Sequence, residues 1–198
     1  VKSTEFQYFW PMKIGIIIFF SILIFSCGEN NERQSTGLVS ELAEVKNLQN
    51  NDENPNSGKI ISFNFDQLEK KYFQKNNDSI YVINFWATWC KPCVKELPAF
   101  ERISADYSSK KVKVLLVSLD FADKIESQVI PFNKKNNIKS EVVLLDDPDA
   151  NNWIPRVSKE WSGAIPATII YNKKKRKFYE QSFTFEELET ELKAFLKK

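Results

Sequence analysis

Histidine is absent from this chain of 198 residues. Its absence removes the usual general base, the commonest transition-metal ligand and any Ser-His or Cys-His catalytic pair. Charge of one sign is lacking as well: 28 basic side chains stand against 26 acidic ones, a formal net charge of +2, so no global field draws in nucleic acid or an acidic substrate. Long apolar runs are missing too. The run from Ile14 to Phe25, broken only by Gly15 and Ser21, falls well short of the roughly 18 to 20 residues that a bilayer-spanning helix needs. No internal repeat is visible. Cysteine is reduced to Cys27, Cys90 and Cys93, and an odd count asks what the unpaired one does. What is there is 42% hydrophobic and 14% aromatic, enough for one well-buried domain and too little for two of ordinary size.

The first residues read as an export segment. Met12-Lys13, the apolar run and Ser26-Cys27-Gly28 have the shape of a signal peptide with a removable core, with Met12 as the expected start and 1–11 upstream of it. Ile24-Phe25-Ser26-Cys27 resembles a bacterial lipoprotein box. That resemblance implies that Cys27 is lipidated and anchors the chain to a membrane on its extracytoplasmic, periplasmic side. The alternative is an ordinary signal peptide with an incidental thiol. Residues 28–58 are rich in Asn, Glu, Gln and Ser and bury too little apolar surface to offset chain entropy, so a flexible linker is expected. Within it Leu38, Leu42, Val45 and Leu48 fit a short amphipathic helix. The folded domain is expected at 59–198.

Within that domain, apolar patterning predicts strands and helices in alternation. Ile60, Ile61, Phe63 and Phe65 suggest a strand, and Asp66 with Glu69 a capped helix start continued by Leu68 and Tyr72. Residues 79–86 read as a strand buried on both faces. Residues 90–107 have helical spacing through Val94, Leu97, Phe100 and Ile103, with a kink expected at Pro98. A strand follows over 112–119, then a helix near Ile125 and Val129 disturbed by Pro131, then a strand over 142–145. Residues 149–161 should be partly helical, 167–171 a strand, and 177–182 its hairpin partner. Thr184 and Glu187 form a capping box for a last helix carrying Phe185, Leu188, Leu192 and Phe195. The order indicates an α/β layered sheet.

Cys90 and Cys93 fall where a buried strand turns into a helix, in Phe85-Trp86-Ala87-Thr88-Trp89-Cys90-Lys91-Pro92-Cys93. Free amide hydrogens and the macrodipole at a helix N-terminus favour negative charge, which lowers the Cys90 pKa and supplies the thiolate nucleophile. Lys91 adds a positive charge beside it. The three-residue offset brings Cys93 onto the same face, close enough to attack a mixed disulfide formed by Cys90. Zinc normally takes four protein ligands in a closed site, and this chain offers no histidine and no second cysteine pair, so neither metal nor cofactor is expected. Haem attachment needs histidine where Val94 stands. A structural bridge closing so small a loop would stabilise little.

At these residues the chain resembles the thioredoxin superfamily, and more narrowly its extracytoplasmic TlpA/ResA-like branch. The likeness rests on the cysteine motif followed by Glu96, Leu97 and Pro98, on Ser162-Gly163-Ala164-Ile165-Pro166-Ala167-Thr168, and on an extra helix-and-strand stretch between residue 119 and that loop. It implies a thioredoxin-like fold: a central mixed β-sheet flanked by helices, with an inserted helix-strand element before a cis-proline loop. It implies a cis bond before Pro166, with Ile165 presenting backbone groups to an extended substrate. It implies a substrate-binding surface of Trp89, Lys91, Pro92 and Ile165. Trp89 and Trp161 could line that groove, although core packing would explain either. Asn84 stands where many thioredoxins carry a buried aspartate, and the resemblance implies that Glu96 takes over part of that role; a solvated first-turn acid is the alternative.

The expected activity is therefore extracytoplasmic disulfide reduction, in the setting of cytochrome c maturation, with cysteine-containing proteins as substrates and a membrane thiol-electron carrier as reductant. A monomer is expected. Two other classes compete. A thiol peroxidase on the same fold is disfavoured because that family's Pro and Thr or Ser do not precede Cys90. A non-catalytic binding module is disfavoured by the intact cysteines. The basic run 173–177 reads as a solvated hairpin loop that protects a sheet edge rather than a nucleic-acid or lipid site.

Overall fold

The computed structural model of the chain describes residues 59–197. The expected export segment, Cys27 and the expected linker with its helical stripe lie outside the described residues. Six strands, β1 (Ile61–Phe63), β2 (Ile80–Trp86), β3 (Val112–Ser118), β4 (Glu141–Leu145), β5 (Ala167–Tyr171) and β6 (Arg176–Tyr179), form one sheet in the order β1-β4-β3-β2-β5-β6. The first four in that order run parallel. β5 is antiparallel to β2, and β6 to β5. The helices are α1 (Phe65–Leu68), α2 (Lys91–Tyr107), α3 (Ile130–Lys135), α4 (Ala150–Val157) and α5 (Phe185–Leu196). This is a thioredoxin-like fold, and the inserted element is α3 and β4, with β4 lying between β1 and β3.

β2 explains the layering. Its side chains alternate between faces, as any strand's must. Ile80, Val82 and Trp86 join the core under α2 and α5, with Leu97, Phe100, Ile103, Leu188 and Leu192. Tyr81, Ile83 and Phe85 join the core on the other face, with Phe65, Leu68, Trp153 and Trp161. A strand covered on both faces reads as a continuous apolar run, which is why β2 carries no polar alternation except at Asn84.

Several boundaries differ from the sequence reading. Phe65 belongs to α1 rather than to β1, because Asn64, not Asp66, caps that helix: the Asn64 side chain accepts from Gln67 N while Gln67 reaches back to Asn64 N. A π-helical turn, Glu69–Phe73, continues α1. Pro131 does not disturb a helix but opens α3, where its missing N–H costs nothing; the stretch before it is a 3₁₀ turn and a π turn. α2, by contrast, runs on through Pro98 to Tyr107 as expected. The hairpin partner of β5 lies at Arg176–Tyr179, earlier than expected, because the chain turns tightly around Asn172, whose carboxamide accepts from the N–H groups of Lys174 and Lys175.

Candidate active site

The site sits at the carboxyl end of β2, where a parallel strand hands over to a helix and ligands of open α/β sheets usually bind. After Trp86 the chain makes a tight turn in which Cys90 N donates to the Ala87 carbonyl at 3.1 Å. Asp120, just past β3, holds that turn. Its carboxylate accepts from Thr88 N at 3.0 Å, from Thr88 Oγ1 at 2.5 Å and from Ser118 Oγ at 2.8 Å, and it is only 5% exposed.

Cys90 is the N-cap of α2, and its sulfur accepts the N–H of Cys93 at 3.3 Å. A sulfur here occupies the place of a capping oxygen, so a Cys90 thiolate would be stabilised by an amide hydrogen and by the helix dipole. Pro92, at the start of the helix, lacks an N–H that would have had no partner anyway. Cys90 and Cys93 are joined in a disulfide with Cα atoms 5.3 Å apart. Cys93 is fully buried, while Cys90 keeps a little accessible surface, so Cys90 is the sulfur that a partner reaches first.

Across from it lies the loop that enters β5. The Ile165–Pro166 peptide is cis, and the Ile165 carbonyl lies 3.7 Å from Cys90 Sγ; bridged, that sulfur has no proton to donate, so the approach is a contact rather than a hydrogen bond. The loop is held from two sides. Trp161 Nε1 donates to the Ala164 carbonyl at 2.7 Å. The Glu180 carboxylate accepts from Ser162 N at 3.1 Å, from Ala164 N at 3.2 Å and from the Ser162 hydroxyl. The Ser162 hydroxyl and the two amide hydrogens hold the Glu180 carboxyl below its ordinary range. Gly163 turns the loop at φ 93°, and a Cβ there would also press on Ile154 Cδ1 at 3.1 Å.

Beneath the cysteines, Glu96 is a buried acid, 3% exposed, not a solvated one. Its carboxylate accepts from Asn84 Nδ2 at 2.8 Å and from Phe183 N at 2.8 Å. Asn84 also donates to Thr168 Oγ1 at 3.1 Å, while its own Oδ1 has no partner. Burial outweighs these two hydrogen bonds and pushes the Glu96 carboxyl up to about 7. Glu96 borders a cleft of about 430 Å³ between α2 and the start of α5. Burial thus raises toward neutrality the carboxyl of a residue that lines this cleft.

The structure thus brings Cys90, Cys93, Ile165 and Pro166 together, with Glu96 one helical turn beyond Cys93. Trp89, at 61% exposure, Lys91 and Pro92 stand at the surface beside the disulfide. Trp161 is core, packed on Phe85, Trp153 and Phe178. The basic run is not simply solvated: Lys173 pairs with Asp78, Lys177 with Glu191, and Arg176 donates to the Val157 carbonyl. Asp120 and Glu180 were missed by sequence reasoning, and Thr168 was named only as the end of the proline-loop motif. For Asp120 the signal was weak, an acid at the end of an apolar strand; for Glu180 there was none, its partners lying 16 and 18 residues away.

A profile of the AhpC/TSA family matches residues 58–176. Among curated proteins the chain is 42% identical over 64 residues to the thioredoxin-like protein YneN of Bacillus subtilis, covering 32% of this chain and 37% of that protein. It is 31% identical over 116 residues to the thiol-disulfide oxidoreductase ResA of Bacillus thuringiensis, covering 59% of this chain and 61% of the relative. The chain thus spans less than two thirds of the length of either. Two solved structures share the fold: a thioredoxin-related protein from Neisseria meningitidis serogroup B (TM-score 0.52, 22% identity, 62% of this chain and 88% of that one), and a thioredoxin-family thiol:disulfide interchange protein from Chlorobium tepidum (TM-score 0.51, 18% identity, 61% and 81%).

Proposed function

Since this chain belongs to the AhpC/TSA family of thioredoxin-like proteins, we propose that it is a thiol-disulfide oxidoreductase that reduces protein disulfides outside the cytoplasm, anchored through a lipidated Cys27. The observation that carries the reading is the Cys90–Cys93 disulfide at the N-cap of α2, facing the Ile165 carbonyl. A thiol pair at a helix N-terminus is chemically reversible, because the same amide hydrogens that cap the helix stabilise the thiolate released on reduction.

In the reduced protein the Cys90 thiolate attacks one sulfur of a substrate disulfide. That bond breaks, its other sulfur leaves as a thiolate and takes up a proton, and a Cys90–substrate disulfide remains. Cys93 then loses its proton and its thiolate attacks Cys90 Sγ, releasing the second substrate sulfur and leaving the bridge seen in the structure. Two electrons have passed to the substrate, and a thiol carrier must return them with two protons. The buried Glu96 carboxyl, titrating at about 7, is suited to take the Cys93 proton and pass it to water through its cleft. The Ile165 carbonyl offers an extended substrate a strand-like hydrogen bond beside the reacting sulfurs.

Insulin reduction driven by a dithiol tests the reading. The wild-type chain should reduce insulin, Cys90→Ser should not, and Cys93→Ser should accumulate a mixed disulfide visible by mass spectrometry. Peroxide-dependent turnover without disulfide reduction would point instead to a thiol peroxidase; equal rates for wild type and Cys90→Ser would point to a binding module. Recovery of the Cys27→Ser chain from the membrane fraction in the same proportion as wild type would overturn the anchor.

A further inference from the structure

One wall of the site is the turn of α2, which is rigid by its own hydrogen bonds. The other wall, Ser162 to Ile165, is a loop with one weak internal bond, Ala164 N–H to Ser162 Oγ at 3.4 Å, and among the described residues its one remote support is Glu180. Both backbone groups of Ala164 are engaged: its N–H with Glu180 at 3.2 Å and its carbonyl with the Trp161 indole at 2.7 Å. Ser162 gives Glu180 its N–H and its hydroxyl.

Glu180 is an exposed acid immediately after β6, and among the described residues no basic side chain pairs with it. An exposed glutamate ordinarily keeps its rotamer freedom and its hydration. This one commits both carboxylate oxygens to three donors on a single loop. The chain beyond it reaches the other wall: Ser182 Oγ donates to the Pro92 carbonyl at 3.3 Å, and Phe183 N to Glu96 at 2.8 Å. Residues 180–183 therefore brace the loop against the first turn of the cysteine helix.

We infer that Glu180 is a positioning residue for reduction of polypeptide disulfides: by gathering Ser162 and Ala164 it fixes the Ile165 carbonyl opposite Cys90, so that an extended substrate meets a loop already in place. The inference rests on the reductase reading and deepens it. Glu180 forms no bond to the reacting sulfurs and acts through Ala164. Without it, a substrate must order the loop as it binds, and that entropy is subtracted from affinity rather than from the chemical step. A small disulfide that does not span the loop is insensitive to it.

The test uses the whole chain of 198 residues with two oxidants, insulin and a small aromatic disulfide, together with amide hydrogen exchange. Glu180→Ala should raise the KM for insulin roughly tenfold, the equivalent of one or two ordered side chains, and leave its kcat and the rate with the small disulfide within about twofold of wild type. Glu180→Gln, which keeps one carbonyl acceptor, should recover part of the KM. Exchange at the Ala164 and Ser162 amides should speed up in Glu180→Ala while that of core β2 amides stays unchanged. An unchanged insulin KM overturns the inference, and so does an equal loss with both oxidants, which would mean that Glu180 acts on the disulfide or on the fold. If the wild-type chain reduces neither oxidant, the reductase reading fails by itself; exchange at Ala164 still decides whether the brace exists, and unchanged exchange there overturns it.

Discussion

At the scale of single residues, the chemistry-bearing groups divide by the distance over which they act. Cys90, Cys93 and Lys91 could be read from local spacing because a helix N-terminus organises them within one turn. Pro166 was legible only through likeness to a family, since nothing local distinguishes a cis from a trans proline. Asp120 and Glu180 were illegible because each binds backbone groups far along the chain. Asp120 is the stronger structural case: a buried carboxylate satisfied by Thr88 and Ser118, with no cation paired to it among the described residues. Asp120→Ala would leave the buried Ser118 hydroxyl and the half-buried Thr88 N–H and hydroxyl without an acceptor, and a fully buried group so orphaned costs about 1–3 kcal/mol. Chemical denaturation should show a loss of about 3 kcal/mol. A loss below about 0.5 kcal/mol would mean that water replaces the carboxylate.

At the scale of elements, the strands and the long helices followed from apolar period, while their ends did not. The cap of α1 shows why. Asn64-x-x-Gln67 and Asp66-x-x-Glu69 are equally good capping patterns on paper, and what selects the first is tertiary: Phe65 and Leu68 must both face the core, and Asp147 accepts the Phe65 N–H at 2.9 Å. The inserted β4 was legible as a strand, but its place between β1 and β3 depends on pairings that no local pattern specifies. α2 bears most on function, because it carries both cysteines and Glu96 on a face locked by Leu97, Phe100 and Ile103. Phe100 is fully buried between the sheet and α5. Phe100→Ala should lower stability by about 3–5 kcal/mol. Thermal unfolding measures it; a change under about 1 kcal/mol would mean that the helix is anchored by its ends rather than by this face.

At the scale of the whole molecule, the active site imposes a pH dependence on folding. Glu96 titrates at about 7 in the folded, bridged protein and near 4.5 when free, because burial penalises its charged form. Below pH 4.5 both states hold the proton and there is no penalty. Between 4.5 and 7 the unfolded chain has lost its proton while the folded chain keeps it, so stability falls as pH rises through that window. Above 7 the folded chain carries a buried carboxylate, and the loss levels off at about 3 kcal/mol, the free-energy equivalent of the shift. Urea unfolding of the oxidised protein at pH 5 and pH 8 should reveal this loss, and Glu96→Gln should abolish most of it while keeping an acceptor for Phe183 N. A Glu96→Gln protein with the wild-type pH slope would place the dependence elsewhere and would remove the reason for giving this carboxyl a proton to move. A thiol-disulfide exchange of the proposed kind, which must shift a proton from a fully buried thiol, needs an acceptor whose affinity lies near the ambient pH, and in a chain without histidine an acid raised by burial is one of the few ways to build one.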